Sequence, residues 1–203
     1  MIEYQFWVFI VSLLSQAYSN MNLAQDIRMG RITQHLLYPF GFWEYQTASF
    51  VAFEGLQLLV SFIAAATLTL SGVVAIHSWT SAVVGLGLTL MVAALWFSLM
   101  YTLGLLAFWL EEVWILRVIT ILVVSFLAGG VIPLDLFSPA FRAALDWTPF
   151  PLMTYVPVRI FMGSYTGSVS AAMGLLAFWL VLFIGIAALT WRRGVRLYTA
   201  AGM

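Results

Sequence analysis

From Ser81 to Leu110 the chain carries no charged side chain at all, and four further stretches are nearly as apolar. A run of this length crosses a bilayer core of ~30 Å at ~1.5 Å per helical residue, and in lipid every backbone polar group must find its partner within the segment. Helices are therefore the only regular structure open to it. Candidate spans are residues 2–18, 47–71, 81–110, 113–131 and 171–191, with Glu3, Glu54 and Arg117 as their only charged residues. The first is short, and the third is longer than a perpendicular crossing needs, which implies tilt or a kink. With 8% charged residues and a mean hydropathy of +1.04, against about 25% charged in soluble domains, the chain is an integral membrane protein. It reads as a single all-α membrane domain over residues 1–203.

Between the first two spans lies Asp26 to Phe40, DIRMGRITQHLLYPF, which is too polar to cross. On one continuous helix over 26–38, Arg28, Arg31 and His35 fall at i, i+3 and i+7 as a basic face, and Met29, Ile32, Leu36 and Leu37 gather elsewhere. The segment is expected to be an amphipathic helix at the membrane surface or against a partner. Asn20 and Asn22 offer caps upstream, and Pro39 forbids continuation.

Residues 132–170 hold five of the six prolines, so no single helix passes through them. SPAFRAALDW predicts a short helix capped by Ser138 with Pro139 at its first position, its apolar side (Phe137, Phe141, Leu145, Trp147) at the membrane surface. A second short helix is expected over Thr154 to Met162, ended by Gly163. Gly163 and Gly167 have GxxxG spacing but sit beside polar residues outside a span, where a packing motif has little meaning.

All eight basic residues are arginines. Arg192, Arg193 and Arg196 predict a cytoplasmic C-terminus, and five spans then place Arg28, Arg31 and Arg117 inside and only Arg142 and Arg159 outside. Ser78 and Ser164 are expected outside, Gln34 and Gly194 inside. The N-terminus falls outside, directly before a marginal span with nothing basic ahead of it.

Without lysine there is no phosphate-binding loop of the GxxxxGK[ST] kind, and without cysteine no disulfide or thiolate site. A net charge of zero gives no reason to expect nucleic acid. No catalytic constellation is present, and His35 and His77 lie on opposite sides in this topology, so no metal site is expected. Glu54 is a carboxylate well inside a span. Such groups are costly and often functional, though Gln57 at i+3 or water at the membrane edge would also satisfy it. Glu111 and Glu112 sit at an interface, where a solvated pair or an ion pair with Arg117 is the ordinary arrangement and a functional charge cluster the alternative.

The order of parts resembles the membrane subunit of type-2 ABC exporters. IRMGRITQHLLYPF is similar to the I-x-x-G-x-(hydrophobic)-x-x-x-LL-x-P stretch of a bacterial permease subfamily. GGVIPLDLFSPAFRAALDWTPFPLMTYVPVRIFMG resembles its external segment, and RRGVRLYTAAGM its C-terminal ending, with Arg196-Leu197-Tyr198 in place of a doubled basic pair before Tyr. The resemblance implies a translocation pathway formed by two permease subunits, homo- or heterodimeric, in the lipid of the bacterial cytoplasmic (inner) membrane. It implies a separate ABC ATPase that binds ATP and magnesium while this chain binds no cofactor. Asp26, Arg28, Gly30, Arg31, His35 and Pro39 would belong to the coupling helix that the ATPase drives. The family has six spans, so the resemblance also predicts a truncated or late start, with about 50–60 further residues for one span, a loop and an interfacial helix. Two rival readings are a membrane scaffold or assembly protein and an ion-coupled secondary carrier. One buried carboxylate and no internal repeat count against the carrier.

Overall fold

The computed structural model describes residues 2–18, 21–39, 41–72 and 77–198, and every regular element among them is helical. The helices are α1 (Ile2–Ser15), α2 (Met21–Arg28), α3 (Ile32–Leu36), α4 (Phe42–Leu70), α5 (Trp79–Leu105), α6 (Trp114–Leu127), α7 (Pro139–Leu145), α8 (Phe150–Met153), α9 (Tyr155–Phe161) and α10 (Val169–Leu197). A 3₁₀ turn over Leu106–Phe108 prolongs α5, and another covers Leu134–Leu136. Among the described residues three helices are long and apolar enough to cross a membrane: α4, α5 with its extension, and α10. The expected spans at 2–18 and 113–131 are shorter in the structure.

Helix α5 is the central post. Over its most apolar window 56% of residues are buried, against 11% for α4 and 17% for α10, so the latter two present most of their surface outward. Its neighbours are α10, α9, α1 and α2. Small residues permit this crowding: a Cβ on Gly85 would sit 3.1 Å from the Phe161 ring. Its buried threonine hydroxyls bond back to their own helix, Thr89 to the Gly85 carbonyl at 2.7 Å and Thr102 to the Ser98 carbonyl at 2.7 Å, so neither is left facing apolar neighbours.

Helix α1 is shorter than the expected span and packs inside the helical body. Its 14 residues reach only ~21 Å, and Tyr4, Trp7, Val11 and Leu14 are all buried. Trp7 stacks on Phe161 of α9 at 4.6 Å, and the Tyr4 hydroxyl donates to the Gly129 carbonyl at 2.7 Å. Helix α6 is likewise 14 residues long. It stops where Gly129 adopts φ +81°, a conformation that disfavours any side chain.

The proline-rich segment keeps its expected punctuation. The Ser138 hydroxyl caps α7 by accepting from the Phe141 N–H, Pro139 opens that helix, and Gly163 ends α9 at φ +64°. Its packing divides between surface and interior. Only Leu145 of the expected apolar side of α7 is buried, while Trp147 is exposed. A further helix, α8, forms between Pro149 and Thr154, and α8 and α9 insert into the helical body rather than lying on it. Leu152, Met153, Val156, Val158 and Ile160 are buried, and the Tyr155 N–H donates to the Ala128 carbonyl at 3.0 Å.

The structure thereby has two ends. At one, Arg28 meets Glu112, and Phe42 stacks on Trp191. At the other, His77 Nδ1 lies 3.9 Å from Glu3 Oε1 and beside Gly163. Six of the eight arginines (Arg28, Arg31, Arg117, Arg192, Arg193, Arg196) belong to the first end. His35 and His77 are at opposite ends, and no group of three or more His, Cys, Asp or Glu able to hold a metal occurs among the described residues. The expected cap at Asn20, the N-terminal Met1, Phe40 and the tail beyond Tyr198 lie outside the described residues, as do the side chain of Asn22 and most of the turn expected between α4 and α5.

Candidate coupling site and buried carboxylate

The stretch from Asp26 to Tyr38 does not form the single helix expected of it. Gly30 takes φ +72°, the Arg31 N–H donates to the Asp26 carbonyl at 2.9 Å, and the Gly30 N–H donates to the Ile27 carbonyl at 3.3 Å. That pair of bonds is a Schellman ending with glycine at C′, and it terminates α2 before α3 begins. The result is a helix–turn–helix corner.

The turn disperses the expected basic face. Arg28 Nη1 pairs with Glu112 Oε1 at 3.2 Å, and Arg31 Nη1 turns back to Asp26 Oδ1 at 3.4 Å. His35 sits against the rings of Phe42 and Tyr45, at 5.2 and 4.8 Å. The apolar set divides as well, since Ile32 is fully buried while Met29 and Leu37 are exposed. Both guanidinium groups remain about half exposed, so the corner's outer surface carries two ion-paired arginines with apolar points.

Beneath that surface the corner is clamped to two long helices. Leu23 and Ile27 of α2 and Ile32 of α3 share a buried cluster with Tyr101 and Leu105 of α5, Phe108 of the 3₁₀ turn and Ala187 of α10. The fit is closest at two glycines. A Cβ on Gly104 would come within 2.6 Å of Leu23 Cδ2, and one on Gly194 would enter the Phe108 ring. The Thr33 and Tyr198 hydroxyls are 3.0 Å apart, joining α3 to the residue after α10.

A polar-faced corner thus lies between a short buried helix and a long apolar one, and short helices precede the last long helix. The family model of the ABC-2 family transporter proteins matches residues 1–202. This chain belongs to the ABC-2 transporter family. No curated protein and no solved structure matches it. Membership makes this ABC-2 protein a membrane transport component of a kind that works with an ABC ATPase, rather than a catalyst itself.

Glu54 of the ABC-2 protein is buried on α4, on the same stripe as the buried Gln46 and Ser61. Its Oε1 has no hydrogen-bond partner among the described residues. Gln57 does not satisfy it: the Gln57 amide donates instead to the Leu13 carbonyl of α1 at 3.4 Å. A buried carboxyl oxygen without a partner is costly, and a group kept under that cost is a candidate for work in the transport cycle. Glu54→Ala is expected to lower transport about tenfold, and Glu54→Gln less, since the amide keeps the size and hydrogen-bonding capacity. Transport assays in vesicles decide it, and wild-type rates in both variants would leave Glu54 a packing residue.

The expected cluster of Glu111, Glu112 and Arg117 lies at the junction of α5 and α6. Glu112 pairs with Arg28, Glu111 is exposed, and the Arg117 side chain is buried at the start of α6. The contacts Leu23–Gly104, Phe108–Gly194 and Thr33–Tyr198 were not foreseen from sequence. Gly104, inside an apolar run, was the one available signal, because an interior glycine weakens a helix unless close approach requires it.

Proposed function

We propose that the chain is the membrane-spanning subunit of an ATP-driven exporter in a bacterial cytoplasmic membrane, paired with a second permease subunit and driven by a separate ATPase. ATP and magnesium belong to that partner. The α2–α3 corner, with Asp26, Arg28, Gly30, Arg31, His35 and Pro39, is its docking and coupling site. The observation that carries this reading is the clamp. A load applied to the corner passes through Leu23 to α5 and through Phe108 and Tyr198 to α10, so movement of one surface element is delivered to two of the longest helices. The arginine distribution supports a cytoplasmic position for this end and for the C-terminus.

The direct test is affinity purification of the chain from its own membranes. An ATPase with a phosphate-binding loop is expected to co-purify, and transport is expected to stop when ATP is depleted with the ion gradients held. Persistent gradient-driven uptake would instead indicate a secondary carrier, and a chain that brings no ATPase would indicate a scaffold.

Sidedness has its own measurement, made clean by the absence of native cysteine. Single cysteines at Ser78 and Ser164 are expected to react with an impermeant maleimide from outside intact cells, and one at Gln34 only after permeabilisation. Gly194 is unsuitable because it packs against Phe108, so the exposed Arg193 takes its place. Outside labelling at 193 would reverse the orientation.

A further inference from the structure

At the end away from the coupling corner, α7, α9 and the first turns of α10 enclose a cleft of about 810 Å³, within the size range of small-molecule sites. Its mouth is charged and its floor is apolar. Asp135 stands at the mouth as a shared acceptor. It receives Arg159 Nη2 and the Tyr155 hydroxyl at 2.6 Å, and Arg142 Nη1 lies 3.5 Å away. Two guanidinium groups on one carboxylate leave one positive charge in excess, and the long Arg142 contact leaves much of its donor fork unused.

A second carboxylate lines the same cleft. Asp146 lines it, one helical turn beyond Arg142, is exposed, and forms no salt bridge among the described residues. Burial first, and then the charge of Asp146, raise the phenol of Tyr165, which places that carboxylate near Tyr165. The four charged groups sum to zero, with the Arg142–Asp135–Arg159 cluster and the unbridged Asp146 side by side along one wall.

The floor descends along α10. Ser168, Ala172 and Leu175 follow at i, i+4 and i+7, a drop of ~10 Å from a polar to an apolar position. Leu152 and Val156 form the facing wall. Trp147, 80% exposed at the rim, has the character of residues that mark the headgroup level.

We propose that this cleft binds a zwitterionic amphiphile, a phospholipid whose phosphate meets Arg142 and Arg159, whose amine meets Asp146, and whose acyl chain follows α10. A free anion would have no use for the floor, and an anionic lipid would leave Asp146 facing negative charge. The site lies in the leaflet away from the corner and is independent of which side of the cell that leaflet faces.

Native mass spectrometry of the protein extracted in dodecyl maltoside tests this with three probes: dioctanoyl phosphatidylethanolamine, dioctanoyl phosphatidylglycerol and free phosphoethanolamine. The first is expected to bind about tenfold or more tightly than either of the others, the scale of a hydrogen-bonded charge pair. Arg142→Ala should lower its affinity by about tenfold, and Arg142→Lys, which keeps the charge without the fork, by less. Asp146→Asn should erase the preference for the ethanolamine lipid over the glycerol lipid. Equal binding of the two lipids to the wild-type protein would overturn the proposal. So would phosphoethanolamine binding as tightly as its lipid, or undiminished lipid binding by both Arg142 variants.

Discussion

Reversing Arg28 and Arg31 together to glutamate is expected to cut ATP-driven transport by about tenfold or more while leaving the protein inserted and folded. The internal consequences are small. Each arginine makes one exposed ion pair, Arg28 with Glu112 and Arg31 with Asp26, and exposed pairs contribute at most about 1 kcal/mol. A loss of that size cannot remove the corner from its buried seat on Leu23, Ile27 and Ile32. A large loss of transport would therefore report on a surface outside the chain. The Glu112→Arg change separates the two contributions. Added to Arg28→Glu, it restores the internal pair with inverted sign but leaves the outer charge reversed. If the corner docks an ATPase, this double variant stays defective in ATPase binding and transport. Recovery to wild-type rates would confine Arg28 to its contact with Glu112. Unchanged transport and ATPase association in the Arg28/Arg31 reversal would remove the corner from coupling altogether.

Filling either clamp glycine is expected to have a comparable effect by a different route. Even the methyl of Gly104→Ala would approach Leu23 at a distance real carbon atoms do not tolerate, and Gly194→Ala would collide with the Phe108 ring. Overpacking of this kind costs about 1–3 kcal/mol, which a thermal melt followed by size-exclusion chromatography detects. The functional loss should exceed the stability loss, because the displaced contacts are those through which the corner holds α5 and α10. Shortening the opposing side chain tests the cause. Gly104→Ala combined with Leu23→Ala should melt higher than the sum of the two single effects predicts, as expected for residues in direct contact. Wild-type melting and transport in both glycine variants would show that neither close approach matters in the membrane.

Membrane embedding, the helical class and the positions of the long spans were legible because lipid leaves the backbone no alternative. Local signals held wherever the determining atoms are close in sequence. Ser138 caps its helix, Pro139 opens it, and Gly163 closes the next. Reading one helix through Gly30 failed for a reason equally local. The basic and apolar periodicity on both sides is helical, and periodicity does not register a single residue at positive φ. The apolar character of α1 did not reveal that it lies inside the helical body, because lipid-facing and protein-facing surfaces in a membrane are both hydrophobic. For the same reason the sequence did not show that α8 and α9 are buried against α5.

Charge partnerships were the least legible. Sequence proximity offered Gln57 or water to Glu54, and solvent or Arg117 to Glu111 and Glu112. Folding gave Gln57 to Leu13 of α1 and Glu112 to Arg28, and brought Asp135 to Arg142 and Arg159. Composition alone determined that this chain must cross a membrane as helices, since that follows from transfer free energies summed over whole segments. Which glycine receives which side chain, and which carboxylate meets which guanidinium, only the tertiary structure decided, because those contacts act over a few ångströms between residues far apart in the chain.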